Sequence, residues 1–336
     1  MNKINLFLKR QQDHLSQSGF VQWCGQIYWR EAILCVPAIV VVLALSSILT
    51  PVAAVIMLSA AFSIGFGASR VLDGRRWGAM GAAVIGMALA AFIGSLVGNY
   101  PWLMIALIAL LAAICAALAS YNNDWWWVML QIIVAFMVAG YYPNKIEHAA
   151  LRSGLVLSGG SLQIICTMIL AHFSPKSAVP LPSAQPITHD HWLRFVFATA
   201  LAVAMALYSA QSIGLKNDYW APMSALLILR PAAKDTLSRG INRLIGTLAG
   251  CAAATVIIYI FHDSLSVLIF FLLLTVASAF AMQKAHYALY SGTVSATIVF
   301  LIAIGHGDPI STTEHRLIAT LLGGAVAIVI GRVFRL

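Results

Sequence analysis

Four cations stand close together where a membrane helix should still be running. Arg230, Lys234, Arg239 and Arg243 follow an apolar run of only eleven residues, Tyr219–Leu229, and Pro231 comes directly after the first of them. Eleven helical residues rise ~16 Å, about half of a ~30 Å hydrocarbon core. Arg230 is therefore expected well inside the membrane zone, where Pro231 removes a backbone donor and breaks the helix. Bare backbone at that depth survives only beside protein or a water-filled cavity, so a broken helix lining a cavity is the expectation. Cationic groups in such a place face a pathway, a carboxylate or a ligand. Arg230, Lys234, Arg239 and Arg243 would draw an organic anion from the cytoplasm, and Trp220 and Tyr219 would line the outer end of the same helix. The competing reading is a tilted span that continues to Ala233 and lets Arg230 snorkel, the other three being ordinary positive-inside charges.

Proton coupling would need a titratable group, and none of the 11 acidic residues falls at the centre of an apolar run. The candidates sit at run ends: Glu31, Asp218, Asp235 and Glu314, with His286 beside Tyr287 and Tyr290. Asp235 pairing with Lys234 or Arg239, and Glu314 pairing with Arg316, are the structural alternatives, as is a helix-capping role for His286. The His189–His191 segment has no second ligand cluster, and no metal or other cofactor is expected. No His/Asp, Ser/His or Cys/His constellation converges at one depth, which argues against an enzyme.

The elements that must position these residues are read from a chain of 336 residues, 61% hydrophobic and 9% charged. That composition is far from a soluble domain and indicates an all-α polytopic membrane protein. Twelve apolar runs are expected, near 31–49, 51–69, 77–98, 102–119, 125–142, 152–173, 193–213, 219–233, 243–261, 265–282, 287–305 and 316–334. The chain also repeats itself. Arg152–Gly160 matches Arg316–Gly324 at a spacing of roughly 164, where Arg75 also meets Arg239 and Gly86 meets Gly250. Pro51 pairs with Pro222 by way of a short insertion. Two parallel six-span repeats result, 31–173 and 193–336, after an interfacial N-terminal segment 1–30 and joined by a Pro-rich cytoplasmic linker 174–192. The N-terminal segment has no signal-peptide pattern.

On a twelve-span reading, sixteen of the 20 Lys and Arg fall on one side, leaving Lys145, Arg152, Lys216 and Arg316 on the other. Both termini are then cytoplasmic, and the net charge of +9 is a topology signal rather than a sign of nucleic-acid binding. The 5 cysteines give no disulfide or metal spacing. Gly94, Gly98, Gly246, Gly250 and the pairs Gly159–Gly160 and Gly323–Gly324 read as close helix packing, or as faces for a homo-oligomer. The triplet Trp125–Trp127 reads first as an interfacial belt and second as a surface that stacks an aromatic substrate.

Around the broken span the sequence resembles the fusaric acid resistance and aromatic acid exporter family. The matching residues are Tyr219-Trp220-Ala221, Pro231, Thr236 with Arg239, and the series Arg243, Gly246, Thr247 and Gly250. The resemblance implies a bacterial inner-membrane, multi-pass exporter of small aromatic or other organic acids. It also implies a proton gradient as driving force and a periplasmic adaptor as partner. Relatives carry a large cytoplasmic domain after each membrane half, which these residues do not suggest, and the first half has lost most of the motif. The expectation is therefore efflux of aromatic carboxylates through the bilayer. A carboxylate channel and a non-transporting membrane scaffold for an envelope assembly are its alternatives.

Overall fold

The computed structural model describes residues 27–174, 189–261, 264–305 and 309–336. The expected N-terminal segment up to residue 26, and residues 175–188 of the expected linker, lie outside them. The described residues form twelve α-helices and no strand. The first six are α1 (Trp29–Leu45), α2 (Pro51–Gly65), α3 (Gly78–Val97), α4 (Pro101–Ala119), α5 (Asn123–Tyr141) and α6 (Ile146–His172). The rest are α7 (His189–Ser212), α8 (Trp220–Ile228), α9 (Ala233–Phe261), α10 (Leu265–Ala281), α11 (Tyr287–Ile304) and α12 (Pro309–Val333). Eight of them are long and apolar enough to cross a membrane, and α2 and α10 are shorter apolar helices. The protein is a polytopic membrane protein. Bulky apolar side chains such as Trp102, Ile48 and Tyr259 point outward, more than 70% exposed, which suits lipid and not water.

Local chemistry places several helix ends. Thr50 accepts a bond from the Ala53 N–H with Pro51 at the first helical position, and the Asn122 side chain accepts from Asp124 and Trp125. The polar start of α7 shows that His189–Trp192, read as the end of the linker, is already helical. His189 stacks on Trp192, and His191 meets the Pro231 carbonyl. The described residues contain no cluster of three metal-ligating side chains.

Helix partners recur six helices on. α3 packs on α5 as α9 packs on α11, α2 on α6 as α8 on α12, and α1 on α6 as α7 on α12. The fourth helix of each set crosses over: α4 packs on α7, and α10 packs on α1. Both hydrophobic cores are therefore shared. One combines α1–α3 with α10 and α11, where Phe280 meets Phe62 and Phe66 at 5.4 and 5.0 Å. The other combines α4 and α5 with α7, α8 and α12.

Glycines set the closest approaches. A Cβ added to Gly98 would run into the Gly140 carbonyl, and one at Gly250 into the Gly292 carbonyl. Gly159 sits in the same way on Met57, and Gly323 on Ala221. These glycine faces are occupied inside the chain, so they are not free surfaces for an oligomer. The spacing of roughly 164 recurs in the helices themselves: α4, α5 and α6 start at Pro101, Asn123 and Ile146, and α10, α11 and α12 at Leu265, Tyr287 and Pro309, which leaves Arg75 opposite Arg239. On that spacing Met57 and Ala221, which seat Gly159 and Gly323, correspond, so Pro222 stands opposite Leu58 rather than Pro51.

Because lipid does not push helices together, contact between backbones is what holds α9 to α11. Gly250→Ala should destabilise the detergent-solubilised protein by about 1–3 kcal/mol, as overpacking does, read as a lower melting temperature. Gly81→Ala, where an added Cβ meets nothing within 4 Å, should leave it unchanged.

Candidate functional site

The break expected at Arg230 is present. α8 ends at Ile228, Leu229 is extended (φ −61°, ψ 131°), and α9 begins at Ala233. Pro231 supplies no N–H and disfavours helical backbone at Arg230. Thr236 then satisfies what the break exposes. Its hydroxyl accepts the Arg230 N–H at 2.9 Å and has the carbonyls of Arg230 and Ala232 within reach of its proton, both at 3.3 Å. This is the physical content of the Thr236-to-Arg239 part of the motif.

Three arginines then lie along the nine-residue half-helix α8. Arg239 donates from Nε to the Leu227 carbonyl at 2.9 Å, and Arg243 reaches the Ser224 hydroxyl at 3.4 Å. Arg316, from α12, covers the Trp220 ring at 4.0 Å. Trp220, Ser224 and Leu227 are four and three residues apart, so they share one face and span ~10 Å of rise. Arg230 closes the lower end, 5.7 Å from the Trp126 ring. Tyr287 links two rungs, with its ring under Arg239 at 3.8 Å and its hydroxyl 3.3 Å from Arg243 Nη1. Ser295 holds Arg316 Nη2 at 3.3 Å.

Among the described residues no carboxylate forms an ion pair with this ladder, and Asp235 acts on Arg230 only at longer range. Among the described residues the ion pair is Arg70–Asp124, at 3.0 Å, away from it. Arg243 is 8% exposed and Arg316 2%. Burying a guanidinium without a counter-ion is costly. Hydroxyls, carbonyls and aromatic faces offset only part of that cost, so the arrangement favours an incoming anion.

The remaining expected site residues divide. Trp220 and Tyr219 are buried at the end of α8, with Tyr219 5.3 Å from Tyr141. Lys234 and Asp235 are exposed in the first turn of α9, and the expected pairing of Asp235 with Lys234 or Arg239 is not formed. Lys234 borders a cavity of about 320 Å³ with Thr236, Leu237 and Arg332. Asp218 lines a second cavity, about 170 Å³, beside Tyr219, Gln211 and Tyr141. His286 is the N-cap residue of α11, directly before Tyr287. Glu31 is buried in the first turn of α1 and forms no ion pair with a ladder residue. Gly246, Thr247 and Gly250 serve packing: the two glycines admit the α11 backbone, and Thr247 meets Ser291 at 3.5 Å.

Two readings are corrected, and three site residues were not foreseen. Arg316 is not a loop cation paired with Glu314: α12 starts at Pro309, Glu314 is exposed, and Arg316 is buried in the ladder. Trp126 and Trp127 do not face outward as belt residues would, since Trp127 is buried under Arg70 and Trp126 faces Arg230. Ser224, Ser295 and Tyr287 were not singled out as site residues. Their small hydroxyl groups are ordinary in membrane helices, and no spacing rule marks them.

The fold and site thus define a polytopic helical membrane protein with a row of arginines, free of ion-paired carboxylates among the described residues, beside a broken helix. Residues 203–330, which contain every ladder arginine, match the family described as fusaric acid resistance protein-like, as the residues around the break suggested. The chain is similar to the inner membrane protein YccS of Escherichia coli, 27% identical over 157 residues, which cover 46% of this chain and 20% of that protein. It is also similar to the uncharacterized protein slr1298 of Synechocystis, 29% identical over 140 residues, covering 40% and 18%. The matches span no more than about a fifth of the length of these relatives. No solved structure matches the chain.

Since Thr236 alone caps the Arg230 N–H, Thr236→Val should cost about 1–3 kcal/mol, as an orphaned buried donor does. Thr236→Ser should keep wild-type stability. Thermal unfolding of both variants in detergent checks this.

Proposed function

We propose that the protein is an inner-membrane transporter that exports small organic carboxylates, aromatic ones included, along the arginine ladder. The observation that carries this reading is the row Arg230, Arg239, Arg243 and Arg316 beside α8 with no ion-paired carboxylate among the described residues. A resident carboxylate would neutralise the ladder and close it to anions. Its absence leaves the charge available to a mobile anion, and each arginine is held by hydroxyls, carbonyls or rings that need not move when an anion passes. Lys234 and Arg332 at the cavity below the break supply a cationic entrance. The sign of the charge distribution supports cytoplasmic termini. An adaptor and a second copy of the chain remain the expected partners.

Asp218 is the carboxylate best placed to exchange protons. Burial pushes its carboxyl above the ordinary value, while hydrogen bonds from Gln211 and the Tyr219 backbone pull partly back. It faces the cavity beside Tyr219, at the Trp220 end of the ladder. A carboxylate channel is the second reading that the ladder supports. It differs in needing no titrating group.

Purified protein in proteoliposomes should move radiolabelled benzoate, and Arg243→Gln should slow it by at least about tenfold, the loss of one charged hydrogen-bonded contact. Absence of benzoate movement by the wild type would overturn the reading. If Asp218 couples protons, Asp218→Asn abolishes acceleration by an imposed pH gradient; a channel shows no such acceleration in either protein. Stability gives the sign independently. A carboxyl raised in the folded state is penalised only once charged, so wild type should lose stability relative to Asp218→Asn as pH rises through the raised value. At lower pH, where both states are protonated, the difference should vanish.

A further inference from the structure

At the Trp220 end of the ladder, two buried donors lie together without acceptors. Arg316 is 2% exposed and Trp220 6%, with the guanidinium carbon 4.0 Å from the indole centroid. Arg316 Nη2 is used by Ser295. Its Nη1 has no partner, and neither has the indole Nε1 of Trp220. Both groups donate only, so no rotation or tautomer change lets one satisfy the other. Native interiors rarely leave such groups unpaired, and a charged one is the most costly case. Among the described residues no carboxylate neutralises this end of the ladder. Glu314 is exposed, no described carboxylate pairs with Arg316, and Arg243 adds positive charge within electrostatic range.

We infer that Arg316 Nη1 and Trp220 Nε1 form a binding subsite for one carboxylate group, the last station of the ladder. Two donors on two different side chains match the two oxygens of a carboxylate. A halide presents a single acceptor centre, and a phosphate-type dianion brings more acceptor oxygens than two donors fill. The cation–π contact has a positional role, fixing the guanidinium over the indole and with it the relative positions of the two free donors. The inference deepens the transport reading and rests on it: Arg243 passes the anion on, and Arg316 with Trp220 recognises its head group before release.

Trp220→Phe isolates the proposed contact, because it keeps a ring beneath Arg316 and deletes only the N–H. Benzoate binding to the purified full chain in detergent, followed calorimetrically, should weaken about tenfold in Trp220→Phe, and Arg316→Lys should weaken it at least as much. Chloride binding should change by less than about twofold in Trp220→Phe, since the retained guanidinium satisfies a single centre. Wild-type benzoate affinity in Trp220→Phe overturns the subsite, as does a loss of chloride binding equal to that of benzoate. Should Arg316→Lys fail to fold, Trp220→Phe still decides. Benzoate flux in proteoliposomes separates the two levels of failure. A wild type that transports, beside a Trp220→Phe variant that binds benzoate normally, sinks the subsite alone; a wild type that transports no carboxylate sinks the transport reading.

Discussion

A guanidinium taken out of water must be given partners or be left seeking an anion, and the second half of this protein is arranged around that constraint. Breaking the helix at Arg230 and Pro231 shortens α8 to nine residues and lets α9 start beside it. Arg239 and Arg243, one turn apart on α9, then meet successive turns of α8. A continuous helix through Pro231 would carry both away from Leu227 and Ser224. The break does more than weaken a span: it folds the following cations back along the preceding residues. Thr236 makes the fold-back tolerable by satisfying the exposed backbone at Arg230.

Placing charge at that depth requires rigid support, because a loosely held arginine would snorkel to the surface. The support is close packing without bulky side chains. Gly246 and Gly250 bring α11 against α9, which sets Tyr287 under Arg239 and beside Arg243. Gly323 brings α12 against α8 at Ala221, which carries Arg316 onto Trp220. The glycine positions and the arginine positions are thus two sides of one requirement. Each glycine lies seven residues beyond an arginine on the same helix, Arg243 before Gly250 and Arg316 before Gly323, so both project from the same face.

Helix positions were legible because membrane spans have a length fixed by the bilayer and a composition fixed by lipid, which is why all twelve apolar runs appear as helices. The break was legible for the same reason: eleven residues are too few. What composition does not encode is facing. Arg316 looked like a boundary charge because the residues before it are polar, and only packing against α8 shows that α12 extends past them. Trp126 and Trp127 looked like a belt because aromatic residues at a span end usually are one. The repeat was visible at its spacing of roughly 164, and only the pairing of Pro51 with Pro222 misleads, because a match of identical letters does not show that Gly159 and Gly323 seat on Met57 and Ala221.

The repeat shows how the two halves differ. At the spacing of roughly 164, Arg230 and Arg243 of the second half stand opposite Phe66 and Ala79 of the first, both buried in the apolar core, and Arg239 stands opposite Arg75. Phe66 packs on Phe62 and Phe280, so the place of the lowest cation is filled by an aromatic cluster. Arg152, the counterpart of Arg316, instead donates to Ser95 and to the carbonyls of Ala139 and Tyr142, with all three bonds made from Nη1. The guanidinium nitrogen left unpartnered in Arg316 is thus the one that is fully engaged in Arg152. The same helix arrangement therefore tolerates a satisfied structural arginine in one half and an unsatisfied one in the other. Fold stability accounts for the first. The second costs stability that the fold does not need, which is the physical ground for placing function there.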